Sequence, residues 1–308
     1  MNTHFIYQDH CPLCKSTSAC SRILTKDYSY NTSDEQFFFG MCSRCSTYYL
    51  INKPIFISSY YPNDYTAYSN KKSSLLSCIR KAYYTNKLQR CLTAHGFSGK
   101  SHINVLDYGC ASGELMSYII NSNLNCSVYG TDISDRTTSY LSNLEATFIE
   151  TQNLSLLNIK FDVIYMLQVI EHLDSLSESI TLIRNLLSDD GILIIETPSS
   201  SGFDFHLFPR HFWGGWHAPR HFFVSNKLAL SSFLQTHGYR ILSFKYIWSP
   251  YIWAETLKVS SKPYLRAFFS ITNIAFLCIV AFLDQLQIWL RLPTSNMQFI
   301  CSKNSKSV

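Results

Sequence analysis

The residues best suited to moving a proton lie in two segments of the chain. The stretch FWGGWHAPRHFFVS, residues 212–225, contains His217 and His221, and the short segment EHL contains His172. Imidazole titrates close to neutral pH, so each of these histidines is a candidate general base for a reaction that deprotonates a hydroxyl group. For His172, the alternative is a packed histidine bonded to a backbone carbonyl.

The same stretch contains groups that could hold a second reactant. Trp213 and Trp216 can stack on a sugar or an aromatic ring, and Arg220 can bind an anionic group such as phosphate. Gly214 and Gly215 would let the chain bend. The connection is long, and long loops in compact domains are commonly lids or binding loops. We therefore predict that this stretch forms the acceptor-side wall of an active site.

Four cysteines near the amino terminus have the spacing of a metal site. Cys11 and Cys14 form one Cys-x-x-Cys pair, and Cys42 and Cys45 form a second. Two such pairs supply the four thiolates of a tetrahedral zinc site, and a closed shell of four ligands indicates a structural ion. A redox Cys-x-x-Cys motif and chance pairing are the alternatives. The residues between the pairs are predicted to form a hairpin that brings them together.

Composition limits the class of protein. The 308 residues are 46% hydrophobic and 15% charged, which suffices for one large domain with a smaller appendage. The net charge of +5 includes no charge run that would favour a nucleic-acid partner. The amino terminus does not resemble a secretory signal, which favours a cytoplasmic protein. Residues 264–290 are apolar, and we expect a helical cap or an interfacial helix on the inner face of a membrane rather than a span.

Beyond residue 100, short apolar runs alternate with helical stretches, which is typical of a parallel α/β sheet with helices on both faces. Seven strands are predicted, at 103–107, 127–132, 146–149, 161–167, 191–196, 239–246 and 297–302. Residues 247–296 are predicted to form one or two inserted helices before the last strand. The predicted domains are a zinc-ribbon-like module (1–50), a tyrosine-rich connector and helix (51–100), and the α/β domain (101–308).

The first two predicted strands of the α/β domain end in acidic residues. Asp107 ends the first strand, Gly109 and Gly113 flank the turn after it, and Asp132 ends the second. Glycines let a ligand approach the backbone at the carboxyl edge of the sheet, and a carboxylate after the second strand suits a ribose diol. Ala111 occupies the middle glycine position of a dinucleotide loop, so a nicotinamide cofactor is a weaker interpretation.

The segments VLDYGCASG, VYGTDIS, FDVIYMLQVIEHL and LLSDDGILIIETP resemble, in order, the motifs of class I S-adenosylmethionine-dependent methyltransferases. The resemblance covers residues 103–247 and implies a Rossmann-like seven-stranded sheet with S-adenosyl-L-methionine (SAM) as cofactor. The cofactor residues that it implies are Asp107, Gly109, Cys110, Gly113 and Gln168 near the methionine moiety, Asp132 at the ribose, and Ile133 with Asn153 or Leu154 near the adenine.

The segment HAPRHFFVSNKLALSSFL resembles a signature of zinc-module methyltransferases, many of which are associated with bacterial polysaccharide and cell-surface glycan synthesis. We therefore expect methyl transfer to a small-molecule or glycan-linked acceptor, preferentially at oxygen. A C-methyltransferase acting on a nucleotide-linked sugar is an alternative, although the chain ends before the further domain of that group. A non-catalytic protein that binds zinc and the cofactor is a second alternative.

Overall fold

The computed structural model describes residues 4–63, 65–68, 75–97, 100–122, 124–133, 145–266, 268–270 and 273–304. Within these ranges the strands form three sheets, of two, four and seven strands. Parts of the predicted connector, at 64, 69–74 and 98–99, lie outside the described residues, as do positions 267 and 271–272 of the apolar segment.

The amino-terminal strands form two small sheets. Their bounds are β1 (Phe5–Tyr7), β2 (Ala19–Thr25), β3 (Phe37–Cys42), β4 (Tyr48–Leu50) and β5 (Asn52–Pro54). β2 and β3 pair in antiparallel fashion, which confirms the hairpin predicted between the cysteine pairs. β4 continues this sheet beside β3, whereas β1 pairs with β5.

The large sheet contains the seven strands that the sequence predicts. They are β6 (Ile103–Tyr108), β7 (Cys126–Thr131), β8 (Thr147–Phe148), β9 (Phe161–Leu167), β10 (Leu187–Pro198), β12 (Tyr239–Ile247) and β13 (Asn296–Lys303). Their spatial order is β12-β13-β10-β9-β6-β7-β8. β13 runs antiparallel to both neighbours, and the other neighbouring pairs are parallel. The predicted α/β fold class is confirmed.

One further strand, β11 (Phe223–Val224), comes from the loop that follows β10 but lies outside the large sheet. It pairs antiparallel with β4, so that Phe223 lies opposite Tyr49. The amino-terminal sheet is thereby completed by a strand from the α/β domain. This pairing was not predicted, because no local sequence pattern records which distant strand is the partner.

The α-helices that the structure describes are α1 (Leu75–Ala94), α2 (Glu114–Ile120), α3 (Leu176–Leu186), α4 (Phe203–Leu207), α5 (Lys227–Thr236), α6 (Pro250–Ser260) and α7 (Ile274–Trp289). α6 and α7 confirm the predicted helical insertion. Asn273 caps α7 by accepting a hydrogen bond from the backbone N–H of Phe276. In the part of the chain that the structure describes, no helix is both long enough and apolar enough to cross a membrane.

The strands of the large sheet bury both faces, as expected of a parallel sheet covered by helices. Successive side chains alternate between the faces. Ile164 and Leu193 belong to one apolar core, and Val163 and Ile192 to the other. Because both faces are packed, the strands are held in place, and so are the predicted cofactor residues at their carboxyl ends.

Candidate active site and metal centre

The four amino-terminal cysteines converge. The Sγ atoms of Cys11 and Cys45 are 3.6 Å apart, those of Cys14 and Cys42 are 3.5 Å apart, and all four lie within 4.8 Å of one another. Zinc bonded tetrahedrally to sulfur at about 2.3 Å separates the sulfurs by about 3.8 Å. The four thiols therefore fit one zinc ion without rearrangement of the backbone.

The turn after β6 has the backbone geometry of a ligand-binding loop. Gly109 has φ = 84° and Ala111 has φ = 45°, both in the left-handed region. A Cβ atom on Gly109 would lie 2.5 Å from Val169 Cγ2, so a larger residue does not fit there. The backbone N–H of Ala111 donates to Asp132 Oδ2 at 2.9 Å, which ties the turn to the end of β7.

Asp107 is almost fully buried at the end of β6. Burial raises the pKa of its carboxyl group to about 7, and the negative charge of Asp132 adds to this shift. A cation bound at this edge would favour the ionised carboxylate. Asp132 already accepts a hydrogen bond from the Tyr68 hydroxyl at 2.8 Å, in addition to that from Ala111.

The other residues that the resemblance assigns to the cofactor lie in different environments. Cys110 is buried beneath the turn, and Gly113 has the left-handed φ of 72°. Ile133 is 83% exposed, which leaves its side chain available to a ligand. Leu154 is completely buried in the core, so its side chain cannot contact an adenine ring. Gln168 donates a side-chain hydrogen bond to Asn296 at 3.1 Å.

The three candidate bases form one cluster, although they come from two segments. Ring centroids of His172 and His221 are 4.6 Å apart, those of His217 and His221 are 5.0 Å apart, and those of His172 and His217 are 6.3 Å apart. Burial lowers the pKa of His172 to about 4 and lowers the pKa values of the other two histidines well below the usual range. At neutral pH the three imidazoles are therefore neutral.

Glu171 is a fourth member of this cluster, and the sequence reasoning gave it no role. It is completely buried, and its Oε2 accepts a hydrogen bond from Thr197 Oγ1 at 2.9 Å. Its Oε1 lies 3.8 Å from His221 Nε2 and has no hydrogen-bond partner among the described residues. Burial raises the pKa of this carboxyl group to about 8. The signal for Glu171 was its position beside His172 immediately after β9.

Tyrosines of the connector contact the same cluster. The Tyr61 hydroxyl lies 3.3 Å from His172 Nδ1, and the Tyr65 hydroxyl lies 3.2 Å from His217 Nε2. The contacts show that their hydroxyl groups lie against candidate catalytic residues.

Arg220 occupies a different environment from the one predicted. Its side chain is completely buried and donates to both carboxylate oxygens of Asp27, at 3.1 and 2.8 Å, and to the backbone oxygens of Tyr60 and Ala218. Burial alone would raise the pKa of Asp27, but the hydrogen bonds and charge of Arg220 outweigh it and lower that pKa. Arg220 thus joins the loop to the amino-terminal module, which corrects its predicted role as an anion clamp.

The two tryptophans of the loop are also core residues. Trp213 and Trp216 are 2% and 1% exposed, and the Trp216 ring packs 4.6 Å from that of Phe39 in the amino-terminal sheet. Trp213 Nε1 donates to Asp204 Oδ2 at 2.9 Å. A Cβ atom on Gly215 would lie 2.1 Å from the Trp213 ring, so this glycine is needed for packing. The prediction that these tryptophans stack on an acceptor is therefore wrong, since neither ring has a free face.

The strand order, the antiparallel β13 and the glycine-containing turn after β6 define a Rossmann-like methyltransferase fold of class I. The chain belongs to the family described as methyltransferase domain, whose sequence model matches residues 79–243. This match confirms the resemblance to methyltransferases. No curated protein sequence matches the chain significantly.

Several solved structures are similar in fold. A SAM-dependent methyltransferase from Archaeoglobus fulgidus aligns with a TM-score of 0.48 and 17% identity, over 72% of this chain and 94% of that one. The magnesium protoporphyrin IX methyltransferase from Synechocystis aligns with a TM-score of 0.46 and 17% identity, over 80% and 96%. A plantazolicin methyltransferase aligns with a TM-score of 0.49 and 15% identity, over 81% and 94%. These similarities concern the fold alone.

Proposed function

We propose that the protein transfers a methyl group from SAM to an oxygen atom of a small-molecule or glycan-linked acceptor. The observation that carries the proposal is that two tyrosines connect the histidine cluster to the acidic edge of the sheet. Tyr65 contacts His217, Tyr68 contacts Asp132, and the rings of these two tyrosines are 5.9 Å apart. A cofactor at the edge would therefore lie beside groups that can accept a proton.

The residues at the edge suit the cofactor. SAM supplies the activated methyl group on its sulfonium. Ionised Asp107 would bind its ammonium group, and Asp132 would accept the ribose hydroxyls in place of the Tyr68 hydroxyl. The left-handed φ angles of Gly109 and Gly113 shape the turn that would surround the methionine moiety. Gly113, Cys110 and Gln168 toward the methionine moiety, and Ile133 and Asn153 toward the adenine, complete the proposed set.

We propose His217 as the base, because its Nδ1 has no hydrogen-bond partner in the described part of the chain. The Nδ1 atoms of His172 and His221, by contrast, bond to backbone carbonyls at 3.0 and 2.9 Å. In the proposed reaction the acceptor oxygen attacks the methyl carbon, the carbon–sulfur bond breaks, and the acceptor proton passes to His217. S-adenosylhomocysteine leaves as the product.

Further features belong to the proposal. The four cysteines would hold a structural zinc ion, which fits their spacing. A glycan-linked acceptor is supported by the resemblance of residues 217–234 to the zinc-module methyltransferases. A cytoplasmic location with contact to the inner face of a membrane is supported by exposed apolar side chains between 264 and 290, among them Phe282 and Trp289.

The proposal is tested by calorimetry with SAM and by release of S-adenosylhomocysteine when the purified protein is incubated with SAM and pooled sugar and phenolic acceptors. His217→Gln should bind SAM as tightly as the wild type but release product at least about 100-fold more slowly, because general-base catalysis contributes about 10²–10⁴-fold. His102→Gln, at an exposed histidine on the opposite end of β6, is the control. A protein that binds no SAM would contradict the proposed function.

A further inference from the structure

We propose that Glu171, His172 and His221 form a second metal site, which binds a divalent transition-metal ion beside the proposed methyl-transfer site. One ligand atom from each residue lies within 4.8 Å of the other two. The site is separate from the four cysteines and would hold the acceptor oxygen. The inference therefore rests on the proposed function for its chemistry, although binding of the ion can be measured independently.

The orientation of both histidines suits metal binding. His172 Nδ1 lies 3.0 Å from the backbone oxygen of Arg220, and His221 Nδ1 lies 2.9 Å from that of Gly215. A carbonyl oxygen can only accept, so each Nδ1 carries the proton and each Nε2 presents a lone pair. Metal-ligating histidines commonly have this arrangement, because the outer hydrogen bond fixes the tautomer and the direction of the ring.

The third ligand is the buried carboxylate of Glu171. Thr197 binds its Oε2, which orients the group, while Oε1 has no hydrogen-bond partner among the described residues. A buried polar atom without a partner costs free energy, and a bound cation would satisfy it. Bonds of about 2.0–2.2 Å to nitrogen and oxygen allow two ligand atoms as much as about 4 Å apart to share an ion. The 3.8 Å between Glu171 Oε1 and His221 Nε2 fits this limit.

A proton shared between Glu171 and His221 explains the geometry less well. A hydrogen bond from a protonated carboxyl group to an imidazole nitrogen requires a separation below about 3.2 Å, and 3.8 Å is too long. The guanidinium of Arg220, which lies in the same loop as His221, is paired with Asp27 rather than with Glu171. A metal ion that bonds to both atoms at about 2 Å can span this separation, whereas a shared proton cannot.

The ligand set defines the type of ion and its chemistry. Two imidazoles and one carboxylate suit Zn²⁺, Fe²⁺, Co²⁺ or Mn²⁺ better than Mg²⁺, which prefers oxygen ligands. Three protein ligands leave coordination positions open for an acceptor hydroxyl, whose pKa the ion would lower. His217, whose ring centroid lies 5.0 Å from that of His221, would then receive the released proton.

Binding of Mn²⁺ to the purified chain, followed by electron paramagnetic resonance, tests the site, since Mn²⁺ is poorly suited to four thiolates. The wild type should bind one Mn²⁺, and Cys20→Ser, at an exposed cysteine outside both clusters, should still bind it. Glu171→Gln should bind at least about 100-fold more weakly, because even changes outside the ligand shell cost about 10–100-fold in affinity. Glu255→Gln is the matched control, since Glu255 is also buried and one of its oxygens has no hydrogen-bond partner in the part of the chain that the structure describes, but it lies outside the cluster.

If circular dichroism shows that Glu171→Gln does not fold, His172→Gln, which changes a half-buried ligand, takes its place in the binding measurement. Equal Mn²⁺ binding by the wild type and the folded variant would overturn the site. Undiminished product release by chelator-treated, metal-free protein would overturn its role in transfer while leaving the proposed function intact. Conversely, a protein that binds Mn²⁺ at Glu171 but binds no SAM would refute the proposed function and retain the metal site.

Discussion

Residue type predicts the surroundings of a residue better at the carboxyl edge of the large sheet than in the loop 212–225. At the edge, Asp107, Gly109 and Asp132 lie together, as the motifs imply. In the loop, the two histidines join His172 in one cluster, whereas Arg220 and Trp216 contact the amino-terminal module and Trp213 packs against Phe205. Residue types thus indicate function reliably only where their position relative to the sheet is already determined.

The difference has a physical cause. A residue at the end of a parallel strand is held at the carboxyl edge of the sheet by the strand itself, and the strand is recognisable from its apolar sequence. A residue in a long loop is positioned by whatever surface the loop packs on. Here that surface includes Asp27 and Phe39, which come from a remote part of the sequence.

The largest effect is expected from Cys42→Ser. Loss of one thiolate should abolish structural zinc binding, which in small zinc modules is worth on the order of 10 kcal/mol. Because β11 and Arg220 depend on the module, hydrogen exchange should speed up in residues 212–225 but not in the turn after β6. Cys20→Ser, at an exposed cysteine, is the control. Equal exchange in both regions would contradict the division between them.

Arg220→Met should lower the free energy of unfolding by about 3–5 kcal/mol, because it leaves the buried Asp27 carboxylate without its partner. Urea denaturation measures this loss. The double variant Arg220→Met, Asp27→Leu should recover part of it, since the uncompensated charge is removed. If Arg220 instead held an acceptor, the single variant would keep its stability and only the KM for the acceptor would rise.

Asp107→Asn should stabilise the cofactor-free protein at high pH and weaken cofactor binding. The folded pKa of about 7 lies above the unfolded value of 3.8, so the folded state binds the proton more tightly, and stability is lost as pH rises from 3.8 to about 7. This difference between the folded and unfolded pKa values corresponds to at most about 4 kcal/mol in the free energy of unfolding. Thermal unfolding should show an advantage of the variant at pH 8 that shrinks by pH 5.

The exposed Asp190 provides the control for this variant as Asp190→Asn, which should show no such pH-dependent advantage. In calorimetry at pH 8, Asp107→Asn should bind SAM at least about tenfold more weakly than the wild type. A variant that gains no stability at pH 8 would show that the carboxylate is not held in an unfavourable environment.

The smallest effect is expected from Asp132→Asn. This change keeps the shape of the side chain but weakens its acceptance of hydrogen bonds, so SAM affinity should fall about tenfold, or about 1.4 kcal/mol. Stability should change by less than for Arg220→Met, because Asp132 is only half-buried. Calorimetry with SAM should also be performed on Tyr68→Phe. Tighter SAM binding by Tyr68→Phe would show that the Tyr68 hydroxyl competes with the ribose for Asp132, and weaker binding would show that it supports the site. Unchanged affinity in both Asp107→Asn and Asp132→Asn would contradict the cofactor site.

The sequence predicted the seven strands, the inserted helices and the convergence of the cysteines, because periodicity and spacing are local properties. It also predicted the residues at the edge through the family motifs. It did not predict Glu171 as part of the histidine cluster, nor Tyr61 and Tyr65 beside it. Leu154 could not be separated from Asn153, its neighbour in the 3₁₀ helix Thr151–Leu156, because which side chain enters the core depends on neighbours far along the chain.

The pairing of β11 with β4 also bears on how the chain folds during synthesis. The amino-terminal module emerges from the ribosome first, but the strand that completes its sheet, at Phe223, is made only after most of the α/β domain. Until then the edge of β4 has unpaired backbone groups, which are prone to wrong strand pairing. Contacts so distant in sequence form slowly. Truncated chains that end before residue 223 should therefore aggregate more readily than chains that include it.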